Sequence, residues 1–276
     1  MEEGKQIGYK PHLRNLIFVL LVSVIITNYT IISSDSHSKH SFALLGLDIT
    51  AGIASSFGII TICRHKLKGH HGRSYLFLTL GLISWFCADI SLTYYYYGLG
   101  IKEQPLASIA DAFWFAGYGF FAVHLFITLN FLPNRINIKS ILVIASLASA
   151  SFLIYTVIRN LTSFEFHNPR DTIAFSVNIT YPILDSILIV PATVIVVKLR
   201  EDYQQSIPWL LSSLSLLINA IADDGFVNDV ASGNSHNLWF WDLFFITDYL
   251  IMAAALYWYN RFHVSSKLNK SNKIEL

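Results

Sequence analysis

Eight runs of mostly apolar residues, near 13–33, 42–63, 75–97, 109–131, 139–159, 174–198, 207–230 and 238–261, take up most of this 276-residue chain. About 20 such residues in a helix cross a hydrocarbon core of about 30 Å, so each run is long enough to span a membrane. The predicted fold is therefore all-α, a polytopic membrane bundle of about eight transmembrane helices. Composition agrees: 54% of residues are hydrophobic, 13% are charged and the mean hydropathy is +0.50. The first run lacks a small-residue cleavage site and is long for a signal peptide, so it is expected to stay as a helix.

Lysine and arginine collect on alternate loops. Lys5, Lys10 and Arg14 precede the first run, and Arg64, Lys66, Lys68 and Arg73 fill the second loop. Arg135 with Lys139, Lys198 with Arg200, and Arg261, Lys267, Lys270 and Lys273 follow at every second boundary, whereas the opposite loops hold only Lys39, Lys102, Arg159 and Arg170. By the positive-inside rule both termini are expected in the cytoplasm, which requires an even number of spans. The expected location is the cell membrane, multi-pass. Cys63 and Cys87 both fall within spans and point to neither a disulfide framework nor a cysteine metal site.

The two halves of the chain carry acids in the same order. Ala88-Asp89 in span three aligns with Ala222-Asp223 in span seven, and Asp111 and Tyr118 in span four align with Asp242 and Tyr249 in span eight. Asp48 in span two aligns with Asp185 in span six, so the three aspartate offsets are 137, 134 and 131 residues. A drifting offset is what slightly shorter loops would produce. The expected organisation is residues 1–134 as a first four-helix repeat, 135–264 as a second, and 265–276 as a short basic tail. Four spans is an even number, so the copies have the same orientation and are related by an axis along the membrane normal.

An ionised side chain at mid-membrane costs about 2.5–3.5 kcal/mol on insertion scales, so such groups face a partner or a cavity inside the bundle. At 1.5 Å of rise per residue, Asp89, Asp185 and Asp223 come roughly 12–17 Å below the outer boundary, with Tyr118 and Tyr249 at similar depth. Asp48, Asp111 and Asp242 lie higher, forming an outer tier. No lysine or arginine sits at mid-membrane depth to neutralise them. The expectation is an outward-opening cavity in which some acids are protonated or hold a cation or polar ligand. Two other roles stay open: helix capping for the outer three, and helix-to-helix hydrogen bonding for the inner three. Asp224 and Asp248 have no counterpart in the other half.

The histidines say less. His65, His70 and His71 sit in a basic loop, and His124 inside span four reads as a core hydrogen-bonder. Asp35, His37, His40, His167 and His236 share the outer side, where a zinc or copper site is conceivable, but their spacing matches no strong metal motif. The Tyr94–Tyr97 run and Trp239, Trp241 and Trp258 fit interfacial aromatic belts. No late-span lysine is available for a retinal Schiff base, and no Walker lysine motif, HExxH, GxSxG or CxxCH occurs. No cofactor is identified, and nucleic acid is not an expected partner.

On these residues the sequence resembles the multi-span membrane module that bacterial signalling proteins attach to diguanylate cyclase, phosphodiesterase or kinase domains. The likeness rests on Trp85 and Asp89, the Pro105 to Asp111 loop, Gly117-Tyr118, Tyr181-Pro182-Ile183-Leu184-Asp185, Ala222-Asp223, and Trp241-Asp242 with Tyr249. It covers spans two to eight. Two departures stand out: the family's Pro-Ser pair is interrupted as Pro105-Leu106-Ala107-Ser108, and Tyr118 is followed by Gly119 where the family has Pro. The resemblance implies sensing of a stimulus without catalysis. With no output domain after span eight, the chain is expected to act as a stand-alone form that signals to a separate cytoplasmic protein through its basic loops. A looser likeness is to eight-span lysoplasmalogenase-type hydrolases, although a lysine expected early in span two is missing. Sensor or ligand-binding module, lipid hydrolase with paired carboxylates, and cation transporter or channel are thus the three readings, in that order.

Overall fold

The structure is a computed structural model that describes residues 3–65, 69–101, 107–131, 138–163, 169–199, 203–234 and 237–264. Lys66, Lys68, Lys102, Pro105, Leu106, Arg135, His167, Arg200, His236, Lys267, Lys270 and Lys273 lie outside the described residues. So do the 132–137 junction between the expected halves, the 265–276 tail, and the side chains of Lys5, Lys10, His37, His65 and Arg170.

Eight helices follow one another: α1 (Glu3–Ile32), α2 (Ser36–His65), α3 (Gly69–Thr93), α4 (Ile109–Phe131), α5 (Ile138–Ser163), α6 (Pro169–Leu199), α7 (Tyr203–Ala231) and α8 (Trp239–Trp258). All eight are long and apolar enough to cross a membrane, and no strand occurs among the described residues. Helices suit lipid because each satisfies its own backbone polar groups where no water is available. The tyrosine run ends α3 as a π-helical turn, Tyr94–Gly98, and a second π-helical turn, Tyr259–Val264, continues α8.

Six helices close a ring in the order α2, α3, α4, α6, α7, α8, with α8 returning to α2. The other two lie outside it. α1 leans on α8 and α2, while α5 lies against α6 and α7. Only 6% of α1's apolar window is buried, against 61% for α8, so α1 is the helix least covered by the rest of the chain.

Small residues set how closely the ring packs, since van der Waals contact drives helix association in lipid. A Cβ on Gly81 would fall 2.5 Å from the Phe121 ring, one on Gly58 2.8 Å from the Thr79 hydroxyl, and one on Gly117 2.3 Å from the Trp85 indole. Glycine at these places brings α3 against α4 and α2 against α3. Large side chains fill the middle: Trp85 meets Phe121 edge to face at 4.5 Å between centroids, and Tyr75 stacks on Tyr259 at 3.9 Å.

Candidate functional site

α4 and α6 meet through two rungs. α4 presents Asp111 and, two turns on, Tyr118; α6 presents Tyr181 and, one turn on, Asp185, so each helix offers one acid and one phenol on a single face. The Tyr181 phenol donates to Asp111 Oδ1 at 2.6 Å, and the Tyr118 phenol donates to Asp185 Oδ1 at 2.9 Å. Tyr118 also bonds Asp223 on α7, to which Asn219 donates at 2.7 Å from one turn earlier on the same helix. A phenol has one proton to give. Closing both contacts of Tyr118 at once therefore needs a second proton, carried by one of the two carboxyls.

On the opposite side of the ring, the Tyr249 phenol of α8 donates to Asp89 Oδ2 of α3 at 2.7 Å. Trp85 lies between the two clusters, its ring centroid 5.4 Å from that of Tyr118 and 6.3 Å from that of Tyr249. Its indole N–H donates to the Trp114 carbonyl at 3.1 Å, fixing the ring across α3 and α4. Asp89, Asp185 and Asp223 are 4%, 1% and 9% exposed, and Tyr118 and Tyr249 are equally buried. The five residues expected at mid-depth thus lie buried inside the ring in two bonded clusters, Tyr118 with Asp185 and Asp223, and Tyr249 with Asp89.

The outer tier divides. Asp111 caps α4: its Oδ2 accepts the Ser108 backbone N–H at 2.6 Å and the Ser108 hydroxyl at 3.0 Å, one half of a capping box. Ala107, just before it, holds φ at 58°, the left-handed region that costs an L-residue about 1–2 kcal/mol. Asp48 Oδ2 accepts from the Thr93 hydroxyl at 2.7 Å, while its Oδ1 is buried with no hydrogen bond among the described residues. Asp242 is buried and also has no side-chain hydrogen bond among the described residues. Thr93 stands one turn beyond Asp89 on α3, so its bond places Asp48 close to that acid.

The asymmetry has a sequence cause. The 137-residue offset that pairs Asp185 with Asp48 pairs Tyr181 with Leu44, so the α2 side has no phenol to offer Asp242. Asp224 and Asp248, unmatched between the halves, are engaged locally: Thr156 of α5 bonds Asp224, and Ser215 of α7 bonds Asp248. Asn219 was missed from sequence, though its place four residues before Asp223 puts it on the same helical face. His124 ties α4 to α3 through Nδ1, 2.8 Å from the Ser74 hydroxyl, which in turn lies 2.9 Å from the Thr128 hydroxyl. His40 packs edge to face on Tyr96. Among the described residues, no three histidine, cysteine or acidic side chains converge closely enough to hold a metal ion.

Two grooves open on the described surface. One, of about 580 Å³, runs along α2 beside α3 and is lined by Asp48, Gly52, Ser56, Phe57, Ile60 and Phe86. The other, of about 440 Å³, lies between α1, α2 and α8 and is lined by His12, Arg64, Tyr257, Asn260 and Arg261. Neither is lined by Tyr118, Tyr249, Asp185 or Asp223.

Fold and site together define a class: a polytopic helical membrane protein with a buried aspartate–tyrosine network at the centre of a six-helix ring. Comparison with protein-family models, with curated proteins and with solved structures gave no match.

Proposed function

We propose that this chain is an integral membrane sensor or ligand-binding module, built by parallel duplication of four spans, with both termini in the cytoplasm. One observation carries the reading: the tyrosine–aspartate bonds run reciprocally between the halves and are incomplete on one side. Tyr118 of the first half bonds Asp223 of the second, and Tyr249 of the second bonds Asp89 of the first. The ring order gives the same support, because α2 against α8 matches α6 against α4 when the halves are exchanged.

On the α4–α6 side Asp111, Asp185 and Asp223 each accept from a phenol, and of their fully buried oxygens only Asp185 Oδ2 has no hydrogen bond among the described residues. On the α2–α8 side neither Asp48 nor Asp242 accepts from a phenol among the described residues, and Asp48 Oδ1 is buried and unbonded, with Asp48 held by Thr93 one turn from Asp89. A ligand that donates polar hydrogens, such as an organic ammonium, gains most by binding there, and doing so competes with Tyr249 for Asp89. The consequence is a shift in how α8 seats against α3, and with it how the two halves pack. The basic segments after α2 and α6 are where a cytoplasmic signalling partner would read that shift.

The test is thermal unfolding of nanodisc-embedded protein against a panel of mono- and divalent cations, organic amines and polyols. A compound that raises the midpoint in the unmodified chain is expected to lose its effect in Asp89→Asn and Asp48→Asn. If Asp89→Asn, Asp185→Asn and Asp223→Asn each leave every ligand-dependent shift intact, the reading is wrong.

A further inference from the structure

α1 and α5 are also alike, at an offset of 126 residues: Ser23 matches Ser149, and Tyr29-Thr30 matches Tyr155-Thr156. In α5 these residues anchor the helix. Ser149 donates to the Ser186 carbonyl of α6 at 3.0 Å and Thr156 donates to Asp224 of α7, with Ala145 buried on the same face. α5 thereby lies over α6 and α7.

The groove equivalent to the one α5 covers is that between α2 and α3, and it is the open groove of about 580 Å³. Its floor has the features of a helix seat: Gly52 and Ser56 are one turn apart, and small residues so spaced let another backbone approach. Asp48, with its unbonded Oδ1, stands a further turn along. α1 does not cover it. Within its own chain α1 is held by a different face, through Ile31 and the Asn28 amide, which donates to Thr247 at 3.4 Å. Val19, Ser23 and Thr30, matching Ala145, Ser149 and Thr156 of α5, share one helical face about 80–180° away from Asn28 and Ile31. Val19 and Thr30 are exposed there, and the Thr30 hydroxyl bonds only the Ile26 carbonyl of its own helix.

We propose that this groove is a self-association site: the Val19–Ser23–Thr30 face of α1 from a second copy of the chain lies in it as α5 lies on α6 and α7. The inference rests on the duplication reading. Two copies inserted in the same sense present α1 running in the direction that α5 has. Depth matches as well. Ser23 lies nine residues before the end of α1 and Asp48 ten residues into the second apolar segment, which begins at Ser38. Both are therefore about 14–15 Å below the α1–α2 turn. Each copy gives one α1 and one groove, and exchange of both across a two-fold axis along the membrane normal makes the contact isologous and closes it as a dimer.

The experiment uses full-length chain with Cys63→Ser and Cys87→Ser, in two differently tagged forms, one with Ser23→Cys and one with Ile49→Cys. Position 49 is where the 137-residue offset places Ser186, the residue whose carbonyl Ser149 bonds, and Ile49 is exposed and lines the groove, so the change leaves the bundle intact. Co-reconstituted and mildly oxidised, the two forms are expected to give a disulfide-linked heterodimer that neither gives with a cysteine-free chain. Absence of that band overturns the proposal, and so does a cross-link found only inside a chain carrying both cysteines. As a second measurement, the unmodified chain is expected to have twice the monomer mass by light scattering, falling to monomer in Gly52→Leu; a monomer mass for the unmodified chain overturns it. Failure here leaves the ligand-dependent shifts of the Asp/Tyr network untouched, so the two readings are separable.

Discussion

The phenol of Tyr249 donates to Asp89 at 2.7 Å although 160 residues of chain separate them. Its counterpart, Tyr118 to Asp223, spans 105 residues. Each bond joins a helix of one expected half to a helix of the other, so the network is what the two halves share.

Removing the Tyr249 hydroxyl leaves buried Asp89 with one donor fewer, the Trp114 side chain remaining. Tyr249→Phe is expected to destabilise by about 1–3 kcal/mol, read as a lower unfolding midpoint in detergent. In a double-mutant cycle, Asp89→Asn should cost less in the Tyr249→Phe background than alone, by about 0.5–3 kcal/mol. Additive effects would show that the bond does not form.

The two outer acids on α4 and α8 should respond differently. Asp111→Ala loses the cap on α4 and leaves the Tyr181 phenol unpaired, an expected loss of about 1–3 kcal/mol. Asp242→Asn removes a buried carboxylate that no donor holds among the described residues, and should be neutral or stabilising. Equal losses in thermal unfolding would contradict the asymmetry on which the ligand site rests.

Glycine substitutions probe the ring contacts. Gly117→Ala places a methyl 2.3 Å from the Trp85 indole, and Gly225→Ala places one 2.2 Å from the Trp241 ring. Each should cost about 1–3 kcal/mol by overpacking. Gly119→Ala, two residues beyond Gly117, meets nothing within 4 Å and should gain about 0.5–1 kcal/mol from helix propensity. Midpoints of the three variants in one detergent decide it.

Ser74 gives a hydroxyl to the His124–Thr128 knot inside the first half. Ser74→Ala should destabilise by about 1–2 kcal/mol without changing any ligand-dependent midpoint shift. A loss of that shift would mean that the knot, and not only the Asp/Tyr network, responds to ligand.

The eight helices long and apolar enough to span a membrane were legible in the sequence because such a span is a one-dimensional quantity, a length of apolar residues. The matching order of Asp48, Asp89 and Asp111 with Asp185, Asp223 and Asp242 could be read the same way, as could the shared face of Asp111 and Tyr118. Which acid meets which tyrosine could not, because the ring order and the rotation of each helix arise from close packing at residues such as Gly81, Gly117 and Gly58, whose partners lie on other helices. Tertiary structure alone decided that Tyr118 serves both Asp185 and Asp223, that Asn219 joins them, and that Asp48 keeps a buried Oδ1 with no hydrogen bond among the described residues, because each of these depends on which helix faces which.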